Sequence, residues 1–490
     1  MQFLGMFRHV RTAHAQGLTK EMFVSLGQSA VSARDVFAQG ALIVMAEGEM
    51  RNRNSLIRTL KLTADASMSL ITARAYRMWG ADYPRHIEGN VVTAVIDRTE
   101  DRMILSADRA GSIGMYYAWR GRSAAFASHP GLLLRMGAAG RKIGREGMCE
   151  LFALGGFFTP GKTAFQDIRM LEGGCVLIAD TRGMRVKRYY SVISEAMKPE
   201  NARFTVSDYL ETLPKAEHAL FLSDGFSMEM AEKLRKKGRA VLYHIPGAGG
   251  TDFSERLNAP VESITLSADR FAETLRETVT HTGFPGAGTG DGVMFPLMKE
   301  AFCLFPTALM GGMRAFCGER MCENNLLRFL KDDVLKKISA EAYLSDRFND
   351  LTDKMHIPLD DGEEEAERIL CAAGAASQFA IRMRLMAGAA GGVILTPLMD
   401  ERFLVSMLSG LPDTKNAHPA KQSVCEECAY EICEEVREML ESGDQPVFEA
   451  VDPQKIRREM KHECAGAAQL ARIVQINSFL YQFDAEVSVN

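Results

Sequence analysis

The stretch from His218 to Gly238 constrains the fold more than any other part of this sequence. It begins with the apolar run Ala219–Leu222, which is typical of a buried parallel strand. Three turn-forming residues follow, and apolar residues at every fourth position from Phe226 to Leu234 then predict a helix. A strand, a tight turn and a helix place backbone N–H groups where an anion can bind. The stretch therefore predicts a parallel-sheet domain with a potential anion site at its first turn.

Length and composition limit the possible classes of protein. The chain has 490 residues, which predicts two or three domains. Its net charge of -5 argues against a nucleic-acid surface, because such a surface needs clustered positive charge. No run reaches the roughly 18 apolar residues of a membrane span, and the N-terminal residues lack a signal-peptide pattern. We therefore expect a cytoplasmic protein that binds neither nucleic acid nor membrane.

The cysteines fit a reducing compartment. They are scattered irregularly through a chain that is long enough to be stable without disulfides. The exception is the cluster of Cys425, Cys428 and Cys433, in which the first two would share one face of a helix. A zinc site normally needs a second pair at similar spacing, and none is evident. We therefore predict free thiols and no metal site.

The first 200 residues and the remainder differ in their patterns. Residues 1–200 contain short strand candidates separated by polar turns, together with two early helices, which predicts a layered α+β domain. Within it, Ala41–Ala46 is predicted as a strand that ends in a turn at 47–49. From about Glu200, strands alternate with helices and a mostly helical part follows. This pattern predicts a doubly wound α/β domain with a helical annex over residues 201–490.

Further elements of the second domain follow from the same patterns. Its second and third strands are predicted at Ala240–Ile245 and Glu262–Leu266. A continuous helix is predicted at Asn324–Lys337. The glycine-rich segment Gly286–Gly292 is interpreted as a flexible loop.

One segment matches a nucleotide-binding motif. Gly156–Thr163 fits the pattern GxxxxGK[ST] at every fixed position. A phosphate-binding loop of this kind needs a buried strand before it and a helix after it. Here a helix is predicted before it, at Arg145–Leu154, and no convincing helix follows. We therefore interpret the match as a coincidence.

Three short patterns follow one another in the first half. They are Asp-Arg-Ala-Gly at Asp108–Gly111, Met-Tyr-Tyr at Met115–Tyr117 and Phe-Ala-Ser at Phe126–Ser128. In this order they resemble the end of the glutaminase domain of glutamine-hydrolysing asparagine synthetases. Further stretches similar to that family are Glu47–Leu60, Thr163–Phe165, Leu171–Gly174, Thr396–Asp413 and Asp452–Leu480. The resemblance implies an Ntn-type glutaminase-like sandwich over 1–200 and an adenine-nucleotide α-hydrolase-like ATP-pyrophosphatase domain over 201–490.

The resemblance also implies ATP-dependent amide-bond formation in two stages. In the first stage, family members release ammonia from glutamine with the thiol of an N-terminal cysteine, whose own α-amino group serves as the base. Here Gln2 stands at that position, and an amide side chain cannot attack a carbonyl carbon. We therefore expect no glutaminase activity.

The second stage of the family's reaction uses a Ser-Gly-Gly-x-Asp-Ser loop that holds ATP and Mg²⁺. The corresponding residues are Ser223-Asp224-Gly225-Phe226-Ser227-Met228. Asp224 adds a negative charge and a Cβ where the backbone must approach phosphate, and Ser227 replaces a carboxylate ligand for Mg²⁺. A second acidic loop of the family falls at Cys303–Leu309, which contains no carboxylate. Binding of ATP and Mg²⁺ is therefore implied by the family but doubtful for this chain.

Two functions remain open. The resemblance assigns Ser223, Gly225 and Ser227 to a degraded ATP loop, and Lys421, or alternatively Lys415, to the catalytic cation near the adenylate. We predict a non-catalytic protein that binds a partner, such as an active paralogue or another protein. The alternative is a diverged ATP-dependent ligase with a small-molecule or peptide substrate, comparable to the β-lactam synthetases and lasso-peptide cyclases that resemble this family. Its metal site would be relocated to Asp224 or Asp291.

Overall fold

The first half of the chain is a sandwich of two antiparallel sheets. It is described in a computed structural model that covers residues 2–7, 22–26, 29–121, 123–198, 204–213, 216–222, 225–238, 240–245, 253–264, 266–310, 326–355, 363–409, 426–460 and 466–488. The first sheet has six strands in the order β11-β8-β9-β1-β3-β2, and the second has six in the order β13-β12-β7-β6-β5-β4. The strands of this half are β1 (Leu4–Phe7), β2 (Met22–Leu26), β3 (Ser29–Ala33), β4 (Val36–Gln39), β5 (Leu42–Met50), β6 (Gly89–Asp97), β7 (Arg102–Ser106), β8 (Tyr116–Arg120), β9 (Ser123–Ala127), β10 (Lys142–Ile143), β11 (Ile168–Met170), β12 (Cys175–Asp180) and β13 (Gly183–Arg188).

Alternating apolar residues hold the sandwich together. In β7, Met103 and Leu105 point into the core between the two sheets, whereas Ile104 points to the outer face of the second sheet. Side chains two positions apart lie on the same face of a strand, so one short segment fills two cores. Two helices, α1 (Arg53–Thr59) and α2 (Met68–Trp79), cover that outer face. The prediction of a layered α+β first half is therefore confirmed.

The second sheet corrects one predicted turn. β5 continues to Met50, so the turn predicted at 47–49 is wrong. Within this extension Gly48 pairs with Val91. Gly48 has a φ of +122°, and a Cβ at this position would lie 1.9 Å from the carbonyl oxygen of Asn90. The glycine therefore permits a close approach of β6 rather than a turn.

The second half contains a four-stranded parallel sheet in the order β15-β14-β16-β17. Its strands are β14 (His218–Leu222), β15 (Ala240–His244), β16 (Thr307–Met310) and β17 (Val393–Leu395). The other helices in the described residues are α3 (Pro130–Arg135), α4 (Arg145–Phe152), α5 (Val192–Ala196), α6 (Val206–Thr212), α7 (Gly225–Arg235), α8 (Phe253–Leu257), α9 (Phe271–Thr282), α10 (Gly290–Leu304), α11 (Asp332–Ile338), α12 (Ala340–Met355), α13 (Glu363–Ala389), α14 (Glu401–Ser409), α15 (Glu426–Ser442), α16 (Pro453–Glu459) and α17 (Ala467–Gln482). Parallel strands connected by helices agree with the predicted α/β class.

Two predicted elements of the second half are wrong. In place of a strand at Glu262–Leu266, the structure has a single bridge between Tyr243 and Glu262. The helix predicted at Asn324–Lys337 is also interrupted, because the backbone N–H of Lys331 donates to the carbonyl of Ala450 at 2.9 Å. Within the described residues, this part of the chain consists of a short 3-10 turn at Leu327–Phe329 followed by α11.

The two halves share a core and a small sheet. The outer face of the first sheet, which includes Met6 and Tyr116, belongs to the same apolar cluster as Phe221 and Phe479 of the second half. At the other end of the chain, β18 (Glu486–Val487) pairs in parallel with β10. The division at residue 200 stays a prediction, since both halves contribute to this packing. None of the helices in the described residues is long and apolar enough to cross a membrane.

Candidate functional site

The parallel sheet has one point at which the strand order reverses. β14 lies between β15 and β16, so the connections from β14 and from β15 leave in opposite directions. In sheets of this type, ligands bind in the crevice at the carboxyl ends of the strands beside such a point. α7 begins there with Gly225, three positions after Leu222, the last residue of β14. The described residues of the predicted nucleotide loop, from Gly225 to Met228, therefore begin a helix beside the expected binding crevice.

Two described elements beside this crevice, β16 and the first turn of α7, carry no carboxylate for Mg²⁺. Ser227 lies in the first turn of α7 and its side chain is completely buried. Its neighbour Phe226 packs edge to face against Phe403, with ring centroids 5.3 Å apart. β16, with the sequence TALM, contributes no acidic side chain. Ser223, Asp224, Lys415 and Lys421, and residues 311–325 after β16, lie outside the described residues.

Asp291, the alternative metal ligand, forms a buried ion pair. Arg382 Nε lies 2.8 Å from both carboxylate oxygens, and the two side chains are each 7% exposed. Gln475 Nε2 donates a further hydrogen bond to the same carboxylate at 3.0 Å. The carboxylate is thus neutralised and its oxygens are used inside the protein. This arrangement does not favour a relocated metal site at Asp291.

The glycine-rich segment before Asp291 is ordered by the same network, so the prediction of a flexible loop at Gly286–Gly292 is wrong. Gln475 Oε1 accepts a hydrogen bond from the backbone N–H of Gly286 at 2.9 Å. Gly290 is the first residue of α10. One buried glutamine therefore anchors both ends of the segment.

The Walker-like segment Gly156–Thr163 is part of the packing between the two halves. α4 precedes it and β11 follows it, which is the predicted context and not that of a phosphate loop. Its Lys162 Nζ donates to Glu146 at 2.5 Å, and the backbone N–H of Thr159 donates to buried Glu150 at 2.6 Å. The lysine and the loop groups that would hold phosphate therefore have partners within the chain, at the surface for Lys162 and in the interior for Thr159.

The N-terminal end of β1 is the second predicted site. Gln2 lies two residues before the start of β1, and among residues 2–7 none carries a thiol or a hydroxyl group. The adjacent strand end is fixed by the backbone N–H of Phe3, which lies 3.3 Å from Ser128 Oγ. The next residue, His129, is completely buried, and neither ring nitrogen has a hydrogen-bond partner within the described residues. Burial lowers the pKa of His129 to about 3, so this imidazole is neutral at physiological pH.

A charge cluster that the sequence analysis missed joins the two halves. We call Arg51, Arg109, Asp400 and Glu401 the interdomain cluster. Glu401, whose side chain is only 3% exposed, accepts a hydrogen bond from Arg51 Nη1 at 3.0 Å and lies 3.6 Å from Arg109 Nη1. Burial disfavours the charged form of Arg51, but the hydrogen bond and charge of Glu401 outweigh this effect and raise the pKa of Arg51.

A signal for the interdomain cluster was present in the sequence. Arg109 belongs to the Asp-Arg-Ala-Gly pattern, and Asp400 and Glu401 lie within the stretch Thr396–Asp413. The two stretches are far apart in the chain, but the first contains an arginine and the second contains two adjacent acidic residues. Their charge complementarity was the available signal for a contact between the halves.

The cysteine cluster lies partly in the described chain. Cys428 and Cys433 are buried in α15, and Cys425 lies outside the described residues. Within the residues that the structure describes, no group of three or more His, Cys, Asp or Glu side chains is arranged to hold a metal ion.

Comparison with known proteins shows what the first half is similar to. Residues 28–190 match the family model of the glutamine amidotransferase domain. Over 159 residues, the chain is 27% identical to asparagine synthetase [glutamine-hydrolyzing] 3 of Bacillus subtilis (strain 168). This match covers 31% of the chain and 25% of that protein. The chain thus spans about a quarter of the length of this curated relative.

Similar solved structures include two from amidotransferases. The glutamine phosphoribosylpyrophosphate amidotransferase from B. subtilis, complexed with ADP and GMP, has a TM-score of 0.28 and 12% identity, covering 49% of this chain and 65% of that chain. A glutamine aminotransferase class-II domain protein from Silicibacter pomeroyi has a TM-score of 0.24 and 10% identity, covering 39% and 99%. These TM-scores are too low to support an inference about function.

Proposed function

Because the chain belongs, through residues 28–190, to an asparagine synthetase-like family of glutamine amidotransferase domains, we propose that it is a non-catalytic binding or partner protein built on that architecture. The observation that carries the proposal is the environment of Ser227. Mg²⁺ is held by carboxylates and keeps several water ligands, so its site must reach solvent. Ser227, at the position of the family's carboxylate, offers a neutral hydroxyl and is completely buried.

The same reasoning applies to glutamine hydrolysis. That reaction needs a nucleophile and an adjacent base within hydrogen-bond reach. Gln2 provides no nucleophile at the entrance to β1, and the neighbouring His129 is enclosed in the protein. We therefore propose that the first half serves in binding a partner and does not release ammonia from glutamine.

The packing of the protein supports a role that depends on shape. The two sheets of the sandwich enclose an apolar core, and a second core runs continuously into the second half. Glu401 fixes the relative positions of the halves through two arginines. A folded protein whose two halves are packed together, but which lacks the family's catalytic groups, still presents surfaces that a partner can recognise.

Two assays test the proposal. We expect no ammonia release from glutamine and no Mg²⁺-dependent exchange of labelled pyrophosphate into ATP, with amino acids or acidic peptides as carboxylate donors. The B. subtilis asparagine synthetase serves as the active control. A matched variant, Asp224→Gly with Ser227→Asp, restores two of the family's residues in the loop and asks whether nucleotide affinity returns. Clear exchange by the unmodified chain would overturn the proposal.

The second candidate is a diverged ATP-dependent ligase that acts on a small-molecule or peptide carboxylate. One observation favours it, namely that α7 begins at the reversal point of the parallel sheet, where nucleotides bind in other α/β proteins. This function requires Mg²⁺-dependent ATP binding, which Asp224→Ala should abolish. Lys421→Ala should still bind ATP but should not turn it over. Exposed Asp484, which pairs with Arg141, offers the control variant Asp484→Asn. If calorimetry detects no heat of binding when ATP is titrated into the protein, this candidate function is excluded.

A further inference from the structure

The outermost strand of the second sheet has a free edge. β13 ends the strand order, and among the described residues it pairs with β12 alone. The edge of a sheet presents unpaired backbone N–H and C=O groups, which can pair with a strand from another chain. β13 has six residues, long enough for such an addition.

The face of β13 that continues the core is apolar and exposed. Met184 and Val186 are 39% and 46% exposed, although each is a large apolar side chain. They pair with Ala179 and Leu177, which lie in the core between the two sheets. Paired residues share a face of the sheet, so Met184 and Val186 extend the core face beyond the area that the first sheet covers. We call β13 with its exposed side chains the β13 ledge.

The opposite face of the ledge is basic. Arg185 and Lys187 pair with Ile178 and Val176, which lie on the outer face of the second sheet. Arg185 is bound to Asp180 at 2.9 Å, whereas Lys187 is exposed and has no ion pair within the described residues. From Met184 to Lys187 the ledge therefore alternates between apolar residues on one face and cations on the other, and Arg188 follows on the apolar face.

The surroundings leave this region with a net positive charge. Arg182, which is 74% exposed, shares Asp180 with Arg185, and Arg188 binds Glu172 at 2.7 Å. Four cations (Arg182, Arg185, Lys187, Arg188) and two carboxylates (Asp180, Glu172) give a difference of 4 − 2 = +2. The whole chain has a net charge of -5, so this positive region contrasts with the molecule around it.

We propose that the β13 ledge binds an extended acidic segment of another protein, which adds to the sheet as a further strand. The partner's apolar residues would contact Met184 and Val186, and its alternate acidic residues would lie beside Arg185 and Lys187. Backbone hydrogen bonds supply affinity in such an addition, and alternate side chains supply specificity. The inference rests on the proposed function only in that it gives the partner a chemical class.

Charge argues against a second copy of this chain as the occupant. If two β13 strands paired edge to edge, the symmetry would place the basic side chains of one copy beside those of the other. Like charges opposite each other destabilise a strand pair. An acidic strand removes this repulsion and compensates the positive charge at Lys187.

The test uses the whole chain and a fluorescein-labelled peptide of sequence EVDVEVD, with KVKVKVK as the control peptide. Fluorescence anisotropy should show binding of the acidic peptide only, with at least about tenfold weaker affinity when NaCl rises from about 50 mM to about 500 mM. Lys187→Glu should weaken binding by about tenfold, because it places like charges opposite each other. The matched control is Lys236→Glu, which reverses an exposed lysine after α7 and should change affinity less than about twofold.

Hydrogen exchange locates the bound peptide. The acidic peptide should slow exchange of backbone amides within residues 183–188, since strand addition pairs the groups at the free edge. The inference would be overturned if the acidic peptide did not bind, or if the lysine peptide bound equally well. It would also be overturned if the acidic peptide bound without protecting residues 183–188 from exchange. Protection that rises with protein concentration and needs no peptide would identify a second copy and overturn it as well. Pyrophosphate exchange by a chain that still binds the peptide would overturn the proposed function alone.

Discussion

Asp291 and Arg382 form an ion pair in the interior, with both side chains 7% exposed. Asp291→Ala would leave the guanidinium buried without its counter-charge. We expect the free energy of unfolding to fall by about 3–5 kcal/mol, measured by urea denaturation. Asp484→Asn removes the charge of an ion pair whose carboxylate is 85% exposed and should change little.

The second outcome of that experiment concerns the metal. If the Asp291 carboxylate held a metal ion, Mg²⁺ would stabilise the unmodified chain and not the variant. We expect the same stability with and without Mg²⁺ for both. A variant as stable as the unmodified chain would contradict the structural role of the pair.

His129 makes stability depend on pH. Its folded-state pKa is about 3, below the ordinary value of 6.5, because burial disfavours the charged imidazole. Above pH 6.5 the imidazole is neutral in both the folded and the unfolded chain, so His129 causes no loss of stability. Below pH 6.5 the imidazole of the unfolded chain binds a proton and that of the folded chain does not, so the free energy of unfolding falls as pH falls towards 3. From pH 7.5 to 5.5 the loss from this group should be about 1.4 kcal/mol.

The measurement compares unfolding free energies of the unmodified chain and His129→Leu at these two pH values. The variant cannot bind the proton in either state, so its stability should fall by about 1.4 kcal/mol less over this interval. Identical pH dependence of the two proteins would show that His129 is protonated, or exposed, in the folded state.

At the scale of single elements, two glycines of the Walker-like segment give a matched pair. Gly156 and Gly161 both have positive φ, +99° and +83°. A Cβ at Gly156 would lie 2.4 Å from the backbone Cα of Ala287, whereas at Gly161 it would lie 3.0 Å from the movable Glu172 Oε1. Alanine at either position is strained, but only Gly156→Ala also forces two backbones apart.

We therefore expect Gly156→Ala to lower the free energy of unfolding by about 3 kcal/mol or more, and Gly161→Ala by about 1 kcal/mol. Thermal or urea denaturation measures both. Equal losses would mean that the positive φ angle alone determines the loss of stability. They would also mean that Gly156 does not fix the contact between the Walker-like segment and the second half.

Most elements were predictable from sequence because their signals are local. The strand–turn–helix at 218–238 follows from an apolar run and a four-residue repeat, and the structure places β14 and α7 there. The errors arise from contacts between distant residues. Gly48 continues β5 because β6 approaches it closely, and Lys331 interrupts a helix because it bonds to Ala450. No local pattern contains such partners.

The candidate site was predictable in position and less so in its surroundings. The start of α7 after β14 lies at the reversal point of the sheet, as the pattern of strands and helices predicts. The pairing of Asp291 with Arg382 could not be predicted, because the residues are 91 positions apart and no spacing rule connects them. The same holds for Arg51 and Glu401, which are 350 positions apart.

At the scale of the whole molecule, the question is what holds the two halves in one arrangement. The shared apolar core supplies most of the contact, but apolar surfaces fix direction poorly because the hydrophobic effect is not directional. The interdomain cluster restricts the relative orientation of the two halves. Glu401 is the first residue of α14, and both arginines that reach it belong to the sandwich. Bidentate guanidinium–carboxylate pairs are specific in orientation.

Glu401→Gln keeps the size of the side chain and removes its charge, so it tests this role directly. Arg51 retains Glu88 and Asp400 as neighbours, at 3.2 and 3.6 Å, so the loss should be smaller than for an isolated buried pair, about 2 kcal/mol in the free energy of unfolding. Hydrogen exchange should also rise at 108–111 and 397–401, on the two sides of the contact, while β7 remains protected. Glu459→Gln, which removes the partner of Arg328 in an ion pair with side chains 48% and 31% exposed, should change neither quantity measurably. Unchanged exchange on both sides in Glu401→Gln would mean that the apolar core alone orients the halves.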